Sequence, residues 1–356
     1  MKQRLKHIEI AIRKAFIRLL MLRSPKETPP LPLELGETPT ILLLRQDRLG
    51  DAIITTPLLL ALKAKYPNAK FMMLLGENNK DIAPLMPFEM EFVLYRKHPL
   101  KDLEMLRKLR HRKIDVLIDL MDNSSATSSM LTAMIAAKYS VGIQKENASM
   151  YNVLVPLLDR AKHHVTRRIT ELGSAFGIDP ETINLKPTLK SQSVKQILGR
   201  IGLNISAGAE SRCATTATNA RIAEGLIHEH LANEVIIFSH PSDHKKAKAI
   251  LQIVNDTQIK LAPPTATFSE FAAQVAQCEI LITPDTSALH IASAYGIPVV
   301  GLYAPFPSWL HYWTPIGVEY EMIIQEPNLA ALEAEPVISA VKLLRKKIEI
   351  SLEQTI

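Results

Sequence analysis

The sequence predicts an α/β chain of two Rossmann-like domains facing a cleft, preceded by a basic amphipathic helix. Three observations carry this. At 356 residues the chain exceeds what one hydrophobic core organises and suits two domains. From residue 40, short and wholly apolar runs alternate with helical stretches, the pattern of buried parallel strands covered by helices. The alternation stops in a polar stretch with two prolines, residues 179–197, and then begins again.

Residues 1–26 come first. They hold eight Lys and Arg against Glu9 alone, a net +7, which leaves −1 for the other 330 residues of a chain at +6. The globular body is therefore nearly neutral and the basic balance belongs to one terminal segment. Leu5, Ile8, Ile12, Ala15, Phe16, Leu19 and Leu20 recur at helical spacing. Arg13, Lys14 and Arg18 interrupt the run, so it is no transmembrane span, and charges throughout argue against a signal peptide. Such a helix suits an anionic membrane surface, and equally a helix packed on the body or an unordered tail. Residues 24–39 are rich in proline and polar side chains and read as a linker, which makes 1–39 one region.

The first domain is expected over 40–190. Residues 40–44 are a buried strand, 57–65 a helix, and 70–75 and 92–95 strands. Residues 99–111 read as a basic helix, 116–120 as a strand, 127–137 as a helix, 139–141 as a short strand and 164–176 as a closing helix. The second domain is expected over 198–325. Its strands are 202–206, 235–239, 259–261, 280–282 and 298–303, and its helices 220–231, 245–254, 268–277 and 287–295. Residues 326–356 form a terminal region whose helix, at 329–352, is placed to lie back across the domains.

Apolar residues at 47% and charged residues at 22% mark a folded globular protein. Cys213 and Cys278 give neither a disulfide framework nor metal spacing, as in a reducing compartment. A nearly neutral body with 5% aromatic residues disfavours nucleic acid as a partner.

Three segments carry candidate chemistry. Arg45-Gln46-Asp47-Arg48-Leu49-Gly50-Asp51 joins the first strand to a helix, at the strand ends where α/β sites are built. It lacks the Gly-rich dinucleotide fingerprint, as does the stretch after Ser206, which speaks against an NAD-dependent oxidoreductase. Asp51 can serve as a general base toward a hydroxyl, or simply cap the next helix. Residues 283–290 (TPDTSALH) join a strand to a helix with Asp285, Thr286 and Ser287 as cap residues. The free N–H groups of such a terminus suit a diphosphate, or the turn is an ordinary cap. His290 lies one turn inside, facing the site or satisfied in the core. Residues 204–212 (NISAGAESR) offer Gly208, which lets a ligand approach the backbone, and Arg212 as a phosphate partner. Asp119 and Asp122 end a strand, but two carboxylates do not make a metal site.

Two of these segments match a family together. The pattern R-x-D-R-L-G-D-x-x-x-T-x-P at 45–57, with T-P-D-T-S-x-x-H-I-A-x-A-x-G-x-P at 283–298, resembles glycosyltransferase family 9, the heptosyltransferases of the lipopolysaccharide core. Residues 163–167 (HHVTR) also resemble a helix start of that family. The resemblance spans roughly residues 40–325. It implies a two-Rossmann GT-B fold, an ADP-heptose donor, a lipid A-linked oligosaccharide acceptor, inversion at the anomeric carbon and no obligatory metal or other cofactor. It implies that Asp51 is the general base and that Asp285 contacts the donor sugar. Thr286, Ser287 and His290 fall on the family's diphosphate-binding turn, with Gly208 and Arg212 on the donor side. Arg48 and Arg167 fall on the acceptor side. Such an enzyme is expected in the cytoplasm, peripheral to the inner membrane. The chain departs from the family at Ser287, where glycine is usual, and at 213–219, where many relatives carry a basic residue and Trp-Pro. A family member with another sugar nucleotide or acceptor, or a non-catalytic glycolipid-binding protein of this fold, are the alternatives.

Overall fold

The structure, a computed structural model, describes residues 27–191, 194–305 and 310–353, together with Ala15. The expected basic helix of residues 1–26 lies, Ala15 apart, outside the described residues. Two compact units emerge: Met1–Ala83 with Pro87–Leu185, and Pro84–Met86 with Lys186–Ile356.

The first unit is built on six parallel strands: β1 (Thr40–Leu44), β2 (Lys70–Gly76), β3 (Glu91–Tyr95), β4 (Val116–Asp119), β5 (Tyr139–Ile143) and β6 (Val153–Val155). Their order is β3-β2-β1-β4-β5-β6. Ile41 to Leu44 are fully buried because β1 is central and covered on both faces. The helices are α1 (Leu49–Ile53), α2 (Thr56–Lys65), α3 (Pro99–His111), α4 (Ala126–Ile135) and α5 (Val165–Thr170). The helix expected over 164–176 is α-helical only as α5 and tightens to a 3₁₀ turn over Glu171–Phe176. Met105, Leu106 and Leu109 of α3 and Leu131 of α4 pack with Leu42, Leu74 and Leu117 into one core.

The second unit repeats the plan with β7 (Arg200–Asn204), β8 (Glu234–Phe238), β9 (Ile259–Leu261), β10 (Ile280–Pro284), β11 (Val299–Tyr303) and β12 (Tyr320–Ile324). All are parallel, in the order β12-β11-β10-β7-β8-β9. Counted from β7, this is the same 3-2-1-4-5-6 arrangement, the Rossmann order. Its helices are α6 (Thr216–His228), α7 (His244–Val254), α8 (Phe268–Ala276), α9 (Ser287–Tyr295) and α10 (Ala334–Glu353). The terminal helix packs into the second unit. Val337, Val341 and Leu344 of α10 are fully buried in the second unit's own core, beside Ala223 and Leu226 of α6. Arg345 fixes it there, donating to the Leu231 carbonyl at 2.7 Å and pairing with Glu279 at 3.1 Å.

Helix α6 begins four residues earlier than its apolar pattern indicates. Thr215 caps it, accepting from Thr218 N at 3.0 Å, and Thr218 Oγ1 donates to the Leu332 carbonyl at 3.0 Å. The unusual stretch 213–219 is thus a capped helix start, with Asn219 donating to the Ala214 and Thr215 carbonyls. Among the described residues, no helix is long and apolar enough to cross a membrane.

Candidate functional site

In each unit the strand order reverses beside the first strand: between β1 and β4, and between β7 and β10. Ligands of doubly wound sheets bind at the carboxyl ends of those strands. All three segments singled out in the sequence leave the sheet there. So does the loop after β4, with Asp119 and Asp122.

Arg45 organises the first switch point. Its side chain is 2% exposed. Nε donates to the Asp51 carbonyl at 2.9 Å and Nη1 to the Leu120 carbonyl at 2.8 Å. The same guanidinium lies 3.4 Å from the Asp47 carboxylate and 3.5 Å from that of Asp51. Asn79 adds a second tie, donating to the Arg45 carbonyl at 2.7 Å and accepting from Gly76 N at 2.8 Å. Only glycine fits at 76, because a Cβ there would lie 2.6 Å from the Gln46 carbonyl oxygen.

Asp51 therefore sits in a turn held from both neighbouring strands. Its side chain keeps 17% of its surface open. Burial drives its pKa up from 3.8 to about 7; Arg45 and Arg48 oppose the rise, and Asp47 and Asp122 add to it. A carboxylate poised near neutrality at the carboxyl end of a sheet has the character of a general base. Asp51 lies inside the first turn of α1, and the cap position of the next helix, α2, is held by Thr55, so capping α2 is not what Asp51 does. Gln46 Oε1 and Asp47 Oδ1 beside it are buried acceptors with no hydrogen-bond partner among the described residues. Buried acceptors of this kind are costly until a donor reaches them.

The loop after β4 is anchored by a buried charge cluster that sequence reasoning missed. Lys145 Nζ lies 2.8 Å from Asp119 Oδ2 and donates to the Met121 carbonyl at 2.5 Å. Tyr151 OH donates to the same Asp119 oxygen at 2.5 Å. Burial, and then the Asp119 charge, push the Tyr151 pKa well above its usual value. Asp119 is thus spent on structure. No group of three or more His, Cys, Asp or Glu among the described residues is placed to hold a metal ion.

The two acceptor-side arginines differ in setting. Arg48 is exposed, directly before α1. Arg167 on α5 pairs with Glu171 and Glu181, so its fork is already engaged. Its neighbour Arg168, 1% exposed, turns inward and meets Asp122 at 3.1 Å, which brings a cation toward the Asp51 side of the loop.

At the second switch point Thr286 caps α9, accepting from Ala288 N at 3.3 Å, and Ser287 opens the helix. Asn204 at the end of β7 ties the turn together. It donates to Thr283 Oγ1 at 3.0 Å and Thr286 Oγ1 at 3.3 Å. Arg212 Nη1 reaches the Asp285 carbonyl at 3.2 Å and its carboxylate at 3.5 Å, which joins segments 204–212 and 283–290 into one site. Gly208 lies under that side chain, and a Cβ there would meet Arg212 Nη2 at 3.0 Å. Ser206 hydrogen-bonds Asp243 at 2.8 Å, and Lys246 pairs with Asp243 at 3.3 Å. His290 is buried at 4% exposure, its ring 6.0 Å from that of Trp313. Cys213 and Cys278 are both buried and free, and burial pushes the Cys278 thiol up to about 12.

Comparisons with known proteins bear on the fold and the family. A Haemophilus influenzae protein named only as a candidate glycosyltransferase is 24% identical over 300 residues, covering 78% of this chain and 86% of its own. The lipopolysaccharide core heptosyltransferase OpsX of the same organism is 20% identical over 286 residues, 77% of this chain and 81% of its own. Among solved structures, a family 9 glycosyl transferase from Veillonella parvula superposes with a TM-score of 0.72 at 18% identity, covering 90% of this chain and 99% of that one. The Escherichia coli heptosyltransferase WaaC with ADP gives 0.70 at 14% identity, covering 86% and 99%. These structures share the fold. The model of glycosyltransferase family 9 (heptosyltransferase) matches residues 103–338, which include the whole second switch point; the turn at 45–51 precedes the match. With two thirds of its length matched, this chain belongs to glycosyltransferase family 9 (heptosyltransferase).

Proposed function

We propose that the protein transfers a heptose, or a closely related sugar, from an ADP-sugar to the lipopolysaccharide core or lipid A-linked acceptor, with inversion at the anomeric carbon. The observation that carries this is Asp51: a largely buried carboxylate, 17% exposed, at a sheet switch point, its pKa pushed up to about 7 by burial. In this reading the first unit supplies the base and the second holds the donor. Asp51 takes the proton of an acceptor hydroxyl as its oxygen attacks the anomeric carbon. The bond to the nucleoside diphosphate breaks on the opposite face, and negative charge grows on the leaving phosphate. The N–H groups that open α9 and the Arg212 guanidinium are the groups available to stabilise that charge, a contribution that is usually the largest in such chemistry. Asp285, positioned by Arg212, contacts the donor sugar. Ser287 serves where relatives carry glycine, since it offers the same backbone N–H. Relatives named as lipopolysaccharide heptosyltransferases, and a neighbour solved with ADP, support this donor and acceptor.

The test is transfer from ADP-heptose to truncated lipopolysaccharide acceptors, with the product anomer read by NMR. Transfer with inversion is expected; turnover with another sugar nucleotide only, or donor binding without turnover, sinks the assignment. Arg212→Ala is expected to weaken donor binding, raising the donor KM about tenfold to a hundredfold, the worth of one charge-assisted phosphate contact. An unchanged donor KM in steady-state kinetics sets Arg212 outside the diphosphate site.

A further inference from the structure

Outside the two switch points, one surface combines charge, apolar exposure and position. Residues 96–113, from the end of β3 through α3, carry eight Lys and Arg against Asp102 and Glu104, a net +6. Asp102 is buried and accepts the N–H groups of Arg96 at 2.9 Å and His98 at 2.7 Å, so it fastens the start of α3 rather than facing out. Glu104 pairs with Lys108 at 2.7 Å. Within this cationic stretch Leu100 is 75% exposed and Leu103 40% exposed. Exposed apolar side chains occur elsewhere too, among them Leu154 with Leu157 and Ile197 with Leu198, and by themselves need no explanation. Two of them a helical turn apart, ringed by Arg96, Lys97, Lys101 and Arg107, form an amphipathic rim. Behind it, a groove of about 520 Å³ between β3 and α3 has Leu94, Met105 and Leu109 among its apolar residues and Arg96, Lys101 and Lys108 among its cations.

Position adds the third argument. β3 is the edge strand, and its carboxyl end lies at the same end of the parallel sheet as the turn carrying Asp51, two strands or roughly 10 Å across. We propose that residues 96–113, led by Leu100 and Leu103, are the face with which the first unit rests on an anionic lipid bilayer. Leucines enter the headgroup boundary, and the surrounding cations meet lipid phosphates. The surface that holds the bilayer then lies beside the base, which extends the lipid-linked acceptor proposed above.

The test reads the surface directly and without catalysis. An environment-sensitive fluorophore is placed on the full chain at Leu100→Cys and, as a control, at Ile253→Cys on α7 of the second unit, which is 53% exposed. Each is titrated with vesicles of phosphatidylcholine alone and of phosphatidylcholine with phosphatidylglycerol. The Leu100→Cys label is expected to shift to the blue with anionic vesicles only, reversibly with salt, while the Ile253→Cys label stays unchanged. No shift at Leu100→Cys, or equal shifts at both positions, overturns the proposal. Replacing Arg96, Lys97 and Lys101 together by Gln is expected to weaken vesicle partition by on the order of 10²-fold. The same variant should keep its rate on a soluble, deacylated acceptor. Loss of that rate in step with vesicle binding would put these residues on the acceptor itself and overturn a bilayer role. If no acceptor is ever found, the fluorophore result stands by itself.

Discussion

Asp51→Asn is expected to lower kcat/KM for transfer by on the order of 10²-fold or more, because amide in place of carboxylate cannot take the acceptor proton. The pH profile gives the sharper signature. The base works ionised, and its pKa is about 7. In the wild type, kcat/KM should therefore climb tenfold per unit through the acid range and level off above pH 7. In Asp51→Asn the residual rate should lose that limb. Stability should move the opposite way. A carboxyl whose folded pKa lies above its unfolded value of 3.8 still holds its proton in the native state between about pH 4 and 7, where the unfolded chain has lost it. Folding stability therefore falls as pH rises through that window, and the deficit is complete above pH 7. Removing the charge is expected to raise folding stability at pH 8 by on the order of 2 kcal/mol after allowing for the solvent the group still touches, read as a higher Tm, and to do little at pH 4. Equal Tm values at pH 8 would mean that Asp51 is not held against its own ionisation.

Arg45→Met should be the most damaging single change to the first switch point. The guanidinium is almost completely buried and is bound to two carbonyls, Asp51 and Leu120, and two carboxylates, Asp47 and Asp51. Losing one partner of a buried charged network costs about 3–5 kcal/mol, and here the unpaired acceptors remain behind. Urea denaturation should show that loss as a lower midpoint with an unchanged slope. Because Arg45 pulls the Asp51 pKa down, the acid limb of the rate profile should also move above pH 7. Arg45→Lys keeps the charge but not the fork, so it should recover part of the pKa effect and little of the rate. A variant as stable as wild type with an unmoved limb would remove Arg45 from this role.

The strands were the most readable part of the sequence. Runs such as TILLL at β1 and EVIIF at β8 are apolar on both faces because a central parallel strand is covered on both. Segments between such runs and the following helices marked the two switch points, because chain leaving a sheet's carboxyl edge has few ways to fold. What stayed hidden were contacts between residues far apart in the chain. Lys145 and Tyr151 reach Asp119 across 26 and 32 positions, and Asn204 reaches Thr283 across 79. Each reads locally as an ordinary polar residue. Arg167 and Arg168 show the limit most plainly. They are adjacent on α5, yet one meets Glu171 and Glu181 and the other is buried against Asp122. A rotation of 100° along a helix decides between them, and only tertiary packing sets it. The start of α6 was misplaced for a related reason. Its first turn is polar, and a threonine cap rather than an apolar stripe defines it.

Helix α10 bears on how this protein is made. Val337, Val341 and Leu344 belong to the interior of the second unit, and Arg345 closes over the end of α6. A nascent chain cannot complete that interior until α10 has left the ribosome. The first unit holds its full complement of strands long before that and can fold while synthesis continues. The second must wait with an open apolar flank, so translation past β12 is the interval in which chaperone binding and aggregation compete for this polypeptide.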